Sequence, residues 1–393
     1  MDDPPEGTST RPARDGRVDH AAGSYPANGS VVDSSADEDR SALADEHTAD
    51  LSATGGAARP VRRGLGVAGL VVALVVLVLV SFGLGRYLLS PWTVVQILVG
   101  QFGGGSGVPG TEQAVVLQVR LPRILAALLV GAALAASGAA YQSMFRNPLV
   151  SPEILGVSAA AGFGASLSLL FGWSPAVLQV LAFGGGVLAA LLSLTIGRVI
   201  GRGSSIVLVL GGIVVGAMFQ ALISVTQYVA NPEDTLPAIT FWLLGGLGRL
   251  SAPQLLLPAL VVAACLVVLW SLRWPLTVLS AVGEDTSTLG IDPRLTRTLV
   301  IAAATLMTAT VVSVAGIIGW VGLVVPHLAR LITGPSFARV LPVSVLLGAG
   351  YLLAVDDVAR SATGQDLPLG ILTALIGAPF FVALLAKAGR QWR

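Results

Sequence analysis

The stretch 299–332, LVIAAATLMTATVVSVAGIIGWVGLVVPHLARLI, decides the fold. Apart from His327 and Arg330, its only polar side chains are the hydroxyls of Thr305, Thr308, Thr310 and Ser313. The stretch is too long for one crossing of a hydrocarbon core about 30 Å thick, which takes ~20 helical residues. Gly316 and Gly319 mark a reversal, so the stretch reads as two spans, Leu299–Ala315 and Ile317–Ile332. Working outward, the same reading gives Leu65–Ser81, Ile124–Tyr141, Ile154–Phe171, Ala176–Ile196, Ile206–Val229 and Leu255–Leu272 before it. Val340–Val355 and Leu369–Ala386 follow it. The expected fold class is an all-α membrane protein with about ten transmembrane helices. Composition agrees: 54% of residues are apolar and 11% charged, against about 25% charged in a soluble domain. The third, eighth and ninth spans are short and interrupted by Gly or Pro. Broken helices of that kind are tolerated where they line a cavity or pack inside protein.

Charge is distributed unevenly. Residues 1–58 carry 12 acids and 4 arginines, and the rest of the chain 10 acids and 19 bases. The expected organisation is therefore a disordered acidic cytoplasmic tail over 1–60 and a transmembrane domain over 61–393. The tail has no apolar period with which to offset ordering entropy; partner binding is the other reading. The first apolar stretch begins near Leu65, after Arg59, Arg62 and Arg63, and outruns a signal-peptide core of roughly 7–15 residues. With the N-terminus inside, 14 of the 19 bases from Arg59 onward fall in inside segments and 5 outside. That satisfies the positive-inside bias and puts both termini in the cytoplasm.

The motifs exclude several kinds of chemistry. The single cysteine, Cys265, permits no disulfide, and two of three histidines, His20 and His47, lie in the tail. No line of Asp, Glu or His crosses the expected spans as an ion relay would require, which argues against a secondary transporter working alone. A membrane-bound enzyme lacks a nucleophile–base pair or metal cluster. No Gly-x4-Gly-Lys-Ser/Thr loop is present to cradle ATP phosphates. Active transport by this chain would draw its energy from another subunit.

The longest inside connection, RWPLTVLSAVGEDTSTLGIDPRLTR (273–297), suggests where. Leu276, Val278, Leu279, Val282 and Leu289 form an apolar face for a short helix. Such a helix docks in a groove of a soluble protein or rests on the membrane surface, and its pattern alone fits both. Arg120-Leu-Pro-Arg123 and Arg294-Leu-Thr-Arg297 precede the second and seventh spans, each followed by a small-residue helix and a Pro-containing break. They are either two copies of an inverted five-helix repeat or a coincidence of a short pattern.

The segment 117–164, LQVRLPRILAALLVGAALAASGAAYQSMFRNPLVSPEILGVSAAAGFG, closely resembles permease subunits of bacterial ABC importers for iron–siderophore complexes, haem and vitamin B12. So do FWLLGGLGRL (241–250), VGEDTSTLGI (282–291), GIIGWVGLVVPHLARLITGP (316–335) and LPLGILTALIGAPFFVAL (367–384). The resemblance runs from about Leu65 to Arg393 and leaves out the acidic tail. It implies a permease of the cytoplasmic membrane importing an iron(III)–siderophore complex, with haem or cobalamin as the alternatives. It implies a second permease chain, two ATPase subunits that bind the ATP, and an extracytoplasmic binding protein. No cofactor in this chain and no nucleic-acid partner are expected. Gly283, Glu284, Leu289 and Gly290, in a coupling segment over 274–293, match the residues that dock on the ATPase. Arg120, Arg123 and Arg360 match outer arginines that pair with acids of the binding protein. Lipid phosphates are the other partners open to such arginines. Ser204 and Ser205 match a cytoplasmic gate region, and His327 a motif in which packing or capping is the expected role. Where the family usually carries Glu before the last Leu-Pro, this chain has Asp366.

Overall fold

The computed structural model describes residues 61–85, 89–103, 108–201, 205–248, 250–282, 290–362 and 366–390. The chain divides into Met1–Pro60 and Val61–Arg393; the expected acidic tail lies outside the described residues. The second unit is all-helical, with thirteen helices and no strand among the described residues. They are α1 (Val61–Gly83), α2 (Pro91–Gly103), α3 (Gly110–Met144), α4 (Val157–Leu170), α5 (Pro175–Val199), α6 (Ser205–Val229) and α7 (Thr235–Leu243). Next come α8 (Ala252–Ser271), α9 (Arg273–Val282), α10 (Pro293–Ala315), α11 (Val321–Thr333), α12 (Phe337–Ser361) and α13 (Leu369–Arg390). Seven of them, α1, α3, α5, α6, α8, α10 and α12, are long and apolar enough to cross a membrane. The shorter α4 and α11, together with α13, account for the three remaining expected spans.

Three corrections to the sequence reading matter for the site. Arg120 and Arg123 are helical, because α3 starts at Gly110, well before Ile124. A π-helical turn over Val115–Arg120 precedes Pro122. The proline has no N–H to donate and its ring crowds the carbonyl one turn back, so that turn widens instead of ending the helix. Second, the ninth span is not broken: α12 runs through Pro342 for 25 residues and encloses Asp356, Asp357 and Arg360. One lost backbone bond is tolerable there because Leu341, Val343 and Gly348 around it are buried against neighbours. Third, Leu276 and Leu279 on α9 are buried (0% and 1% exposed), and α9 packs on α3 and α12. The apolar face of this short helix is covered by the chain itself.

The helices α3 and α10 form the centre, with 78% and 72% of their spans buried, whereas α1 at 11% is peripheral. Close approach depends on small residues. A Cβ on Gly131 would overlap the Gly348 carbonyl, and one on Gly138 the Gly322 carbonyl. The breaks at the third and eighth spans are real. Gly156, at φ +76°, caps α4 against Gly216, and Trp320, at φ +70°, caps α11 after the irregular segment 316–319. In both halves a long central helix, α3 or α10, is thus followed by an irregular connection and a helix of 14 or 13 residues.

Candidate functional site

Three arginines and three aspartates of the membrane body gather at one end of the bundle. Arg123 Nε donates to both carboxylate oxygens of Asp356, at 3.0 and 2.9 Å. Its Nη1 donates to Asp366 at 2.6 Å. Arg360 donates through Nη2 to the Ser81 carbonyl and hydroxyl oxygens, both at 2.6 Å, and to Asp357 Oδ1. Ser81 Oγ donates to the same Asp357 oxygen at 2.7 Å. Arg120 reaches the Phe82 carbonyl on α1. Arg123 and Arg360 therefore join three aspartates of α12 and the segment before α13 in one ion-paired lattice, tied to α1 through Ser81, with Arg120 held beside it on the Phe82 carbonyl. Burying any one of these charges alone would cost several kcal/mol, so each requires its partner.

Beside the lattice a cleft of about 500 Å³ opens, lined by Arg123, Trp173, Gln179, Trp242, Gln254 and Asp366 among others. Asp366 sits at its edge with 47% of its side chain exposed. The cleft floor is the turn where α10 ends. Gly246 N–H donates to the Ala315 carbonyl at 2.8 Å, and Gly316, at φ +73°, leaves no room for a Cβ beside Gly245.

A second polar cluster stabilises the break at α11. Pro326 has no N–H to offer the Gly322 carbonyl four residues back. Gln142 Nε2 on α3 donates there instead, at 3.3 Å, and to the Leu323 carbonyl at 3.1 Å. The Gln142 side-chain Oε1 accepts in turn from Arg330. His327 is half-buried in the middle of α11, which fits packing and excludes capping.

The three outer arginines expected from sequence do come together, but turned inward, at 4%, 9% and 6% exposure for Arg120, Arg123 and Arg360. Gly290 is exposed, with φ +70° and open space around it. Ser205 opens α6. Gly283, Glu284, Leu289 and Ser204 lie outside the described residues. Sequence reasoning missed the aspartate partners. Their signal was the spacing Asp356, Asp357, Arg360, which stacks both acids and the base on one helical face. Gln142 left no such signal.

Two discontinuous helices within a bundle of apolar spans, with most of the buried charge held in paired clusters, define a polytopic membrane permease. The chain belongs to the FecCD transport family, whose model matches residues 73–387. It is a permease subunit of an ABC importer, not an enzyme. It is 40% identical over 324 residues to the molybdate import system permease protein MolB of Haemophilus influenzae, covering 82% of this chain and 95% of that one. It is 41% identical over 273 residues to a Helicobacter pylori protein named as an iron chelatin transport system permease (70% and 82% covered). It is also 41% identical over 285 residues to the cobalamin import permease BtuC of Halobacterium salinarum (71% and 75%). Among solved structures it is similar to a metal-chelate type ABC transporter in an inward-facing conformation. The TM-score is 0.73 and the identity 38%, covering 82% of this chain and 98% of that one.

Proposed function

We propose that this permease carries an iron(III)–siderophore complex inward across the bacterial cytoplasmic membrane, with both termini in the cytoplasm. It pairs with a second permease chain, identical or related, and sits on two ATPase subunits that bind and hydrolyse the ATP. The ATPases engage the segment 274–293 through Gly283, Glu284, Leu289 and Gly290, while Ser204 and Ser205 belong to the cytoplasmic gate. The Arg123 end faces outward and receives the extracytoplasmic binding protein, with Arg120, Arg123 and Arg360 setting its register. Exposed ion pairs are worth only about 0–1 kcal/mol each, so such contacts orient more than they bind.

The observation that carries the cargo reading is the 38% identity over 98% of a metal-chelate type transporter. Uptake of radiolabelled ferric siderophores, haem, cobalamin and molybdate by a deletion strain, with and without the gene restored, tests it. Restored siderophore uptake alone supports the proposal; restored haem or cobalamin uptake assigns a different chelate. Molybdate is the second reading, favoured by the Haemophilus influenzae relative, and molybdate-only uptake would establish it.

A further inference from the structure

We infer that Glu153 is a charge filter on the transport route, passing chelates of neutral or positive net charge and holding back oxyanions. The inference rests on the permease reading above and specifies the class of cargo.

Glu153 lies in the single 3-10 turn Pro152–Leu155, between α3 and α4. The turn is fixed on three sides. Pro152 is buried, with its ring against Gly322. The Leu155 carbonyl accepts from Ser193 Oγ on α5 at 3.1 Å. Gly156 abuts the backbone of Gly212 and Gly216 on α6. Glu153 is exposed, and its carboxylate lies beside Gly319 in the connection before α11. Its carboxylate has no hydrogen-bond or ion-pair partner among the described residues.

Its depth follows from the same contacts. Gly322 meets Gly138, six residues before the end of α3, which is about 9 Å along the axis. Gly212 and Gly216 are seven and eleven residues beyond Ser205, or roughly 11–17 Å into α6. Glu153 is thus well inside the bilayer's thickness, level with the break at 316–320, and Oε1 would stand 3.2 Å from a Cβ on Gly319.

An unpaired carboxylate facing lipid at that depth is disfavoured, so the surface it faces holds water. In this chain such water belongs to the path opened where α4 and α11 are interrupted. A fixed negative charge on a narrow, low-dielectric path enriches cations and depletes anions, by roughly three- to tenfold for a monovalent probe. The charge is conspicuous in the sequence too: Glu153 is the only acid between Glu112 and Glu233.

Thiol labelling in membrane vesicles holding the whole importer tests this without ATP or cargo, so its outcome is independent of the uptake assay. In a Cys265→Ala background, Glu153→Cys should react with both the trimethylammonium-ethyl and sulfonatoethyl methanethiosulfonates. With Ser151→Cys or Ile154→Cys as reporter, the cationic reagent should be favoured beyond its ratio on a free thiol. Glu153→Gln should lower that preference about three- to tenfold. Glu153→Cys inert to both reagents would overturn the inference, because the position would then be sealed in lipid or protein. A reporter ratio unchanged by Glu153→Gln would do the same. So would two inert reporters, since water would then reach Glu153 alone.

Discussion

Arg123 and Asp356 are joined by two hydrogen bonds, 3.0 and 2.9 Å long, across 233 residues of sequence. Eight residues further into α3, Gly131 meets Gly348, which lies eight residues back along α12. The two helices are therefore antiparallel, and the ion pair and the glycine contact fix one register about 12 Å apart. Sliding either helix by a turn would unpair a buried charge and force side chains into the glycine contact.

Asp356 is fully buried, so Asp356→Asn should be strongly destabilising, by about 3 kcal/mol, the lower end of the range for breaking a buried pair. The low end applies because Asp366 still holds Arg123. The double change Arg123→Leu with Asp356→Leu should recover most of the loss, since the only carboxylate that then loses Arg123 is Asp366, which is half-exposed. Cys265, the only cysteine and buried, supplies the assay: a thiol-reactive dye reports thermal unfolding in detergent. A double variant no better than Asp356→Asn would mean that the pair itself, not the avoidance of a lone charge, stabilises the helices.

Asp366 occupies Arg123 Nη1 on the cleft side and is half-exposed. A carboxylate from the binding protein has to displace it or share the guanidinium. Asp366→Asn should then tighten docking of the loaded binding protein by a few fold, the size expected of one exposed ion pair. Surface binding to nanodiscs at two salt concentrations measures it, and the gain should shrink as salt rises. Unchanged affinity would remove Arg123 from the docking surface and leave it a purely internal lattice member.

Gln142 substitutes for the N–H that Pro326 lacks. Gln142→Met keeps the volume but leaves the Gly322 carbonyl and Arg330 without that partner. The expected cost is about 1–3 kcal/mol, read as an earlier transition with the same dye. Adding Pro326→Ala should return part of it, because the alanine N–H can bond the Gly322 carbonyl. A Gln142→Met chain as stable as the parent would show that water satisfies these groups.

How far the sequence carried depends on the range of the interaction. Hydropathy is local, and all ten apolar spans emerged, most with ends displaced by a few residues and α3 starting 14 residues early. The reversal at Gly316 was legible because glycine is the residue that permits positive φ. The short α2 and α7 went unseen, lying between spans where no long apolar run marks them. The ninth span was cut at Val355 because Asp356 and Asp357 look like a membrane exit. Only the contact with Arg123 and Arg360 lets α12 continue through them, and such a contact leaves no local trace. The arginines were grouped at one end of the bundle for the same reason that their direction was missed. Position along a helix is a sequence property, whereas facing inward or outward depended on acids hundreds of residues away.

The segment expected to couple ATP hydrolysis to transport lies largely outside the described residues, but its attachment is inside them. On its N-terminal side α9 is seated by Leu276 and Leu279 on α3 and α12, and the Ala338 N–H donates to Thr277 Oγ1 at 3.3 Å. On its C-terminal side Asp292 caps α10, accepting from the Arg294 and Leu295 N–H groups. A push on 283–290 thus reaches the central helices α3 and α10 and the helix that holds the charge lattice. Glu284→Lys reverses one charge within 283–290 while leaving these anchors intact. It should cut uptake roughly tenfold or more, within the range of ordinary coupling energies, while the amount of chain in the membrane stays constant. Basal hydrolysis by the ATPase subunits should persist and lose its response to the loaded binding protein. Wild-type uptake in that variant would locate the ATPase contact elsewhere, and loss of the chain from the membrane would show that 283–290 contributes to folding instead.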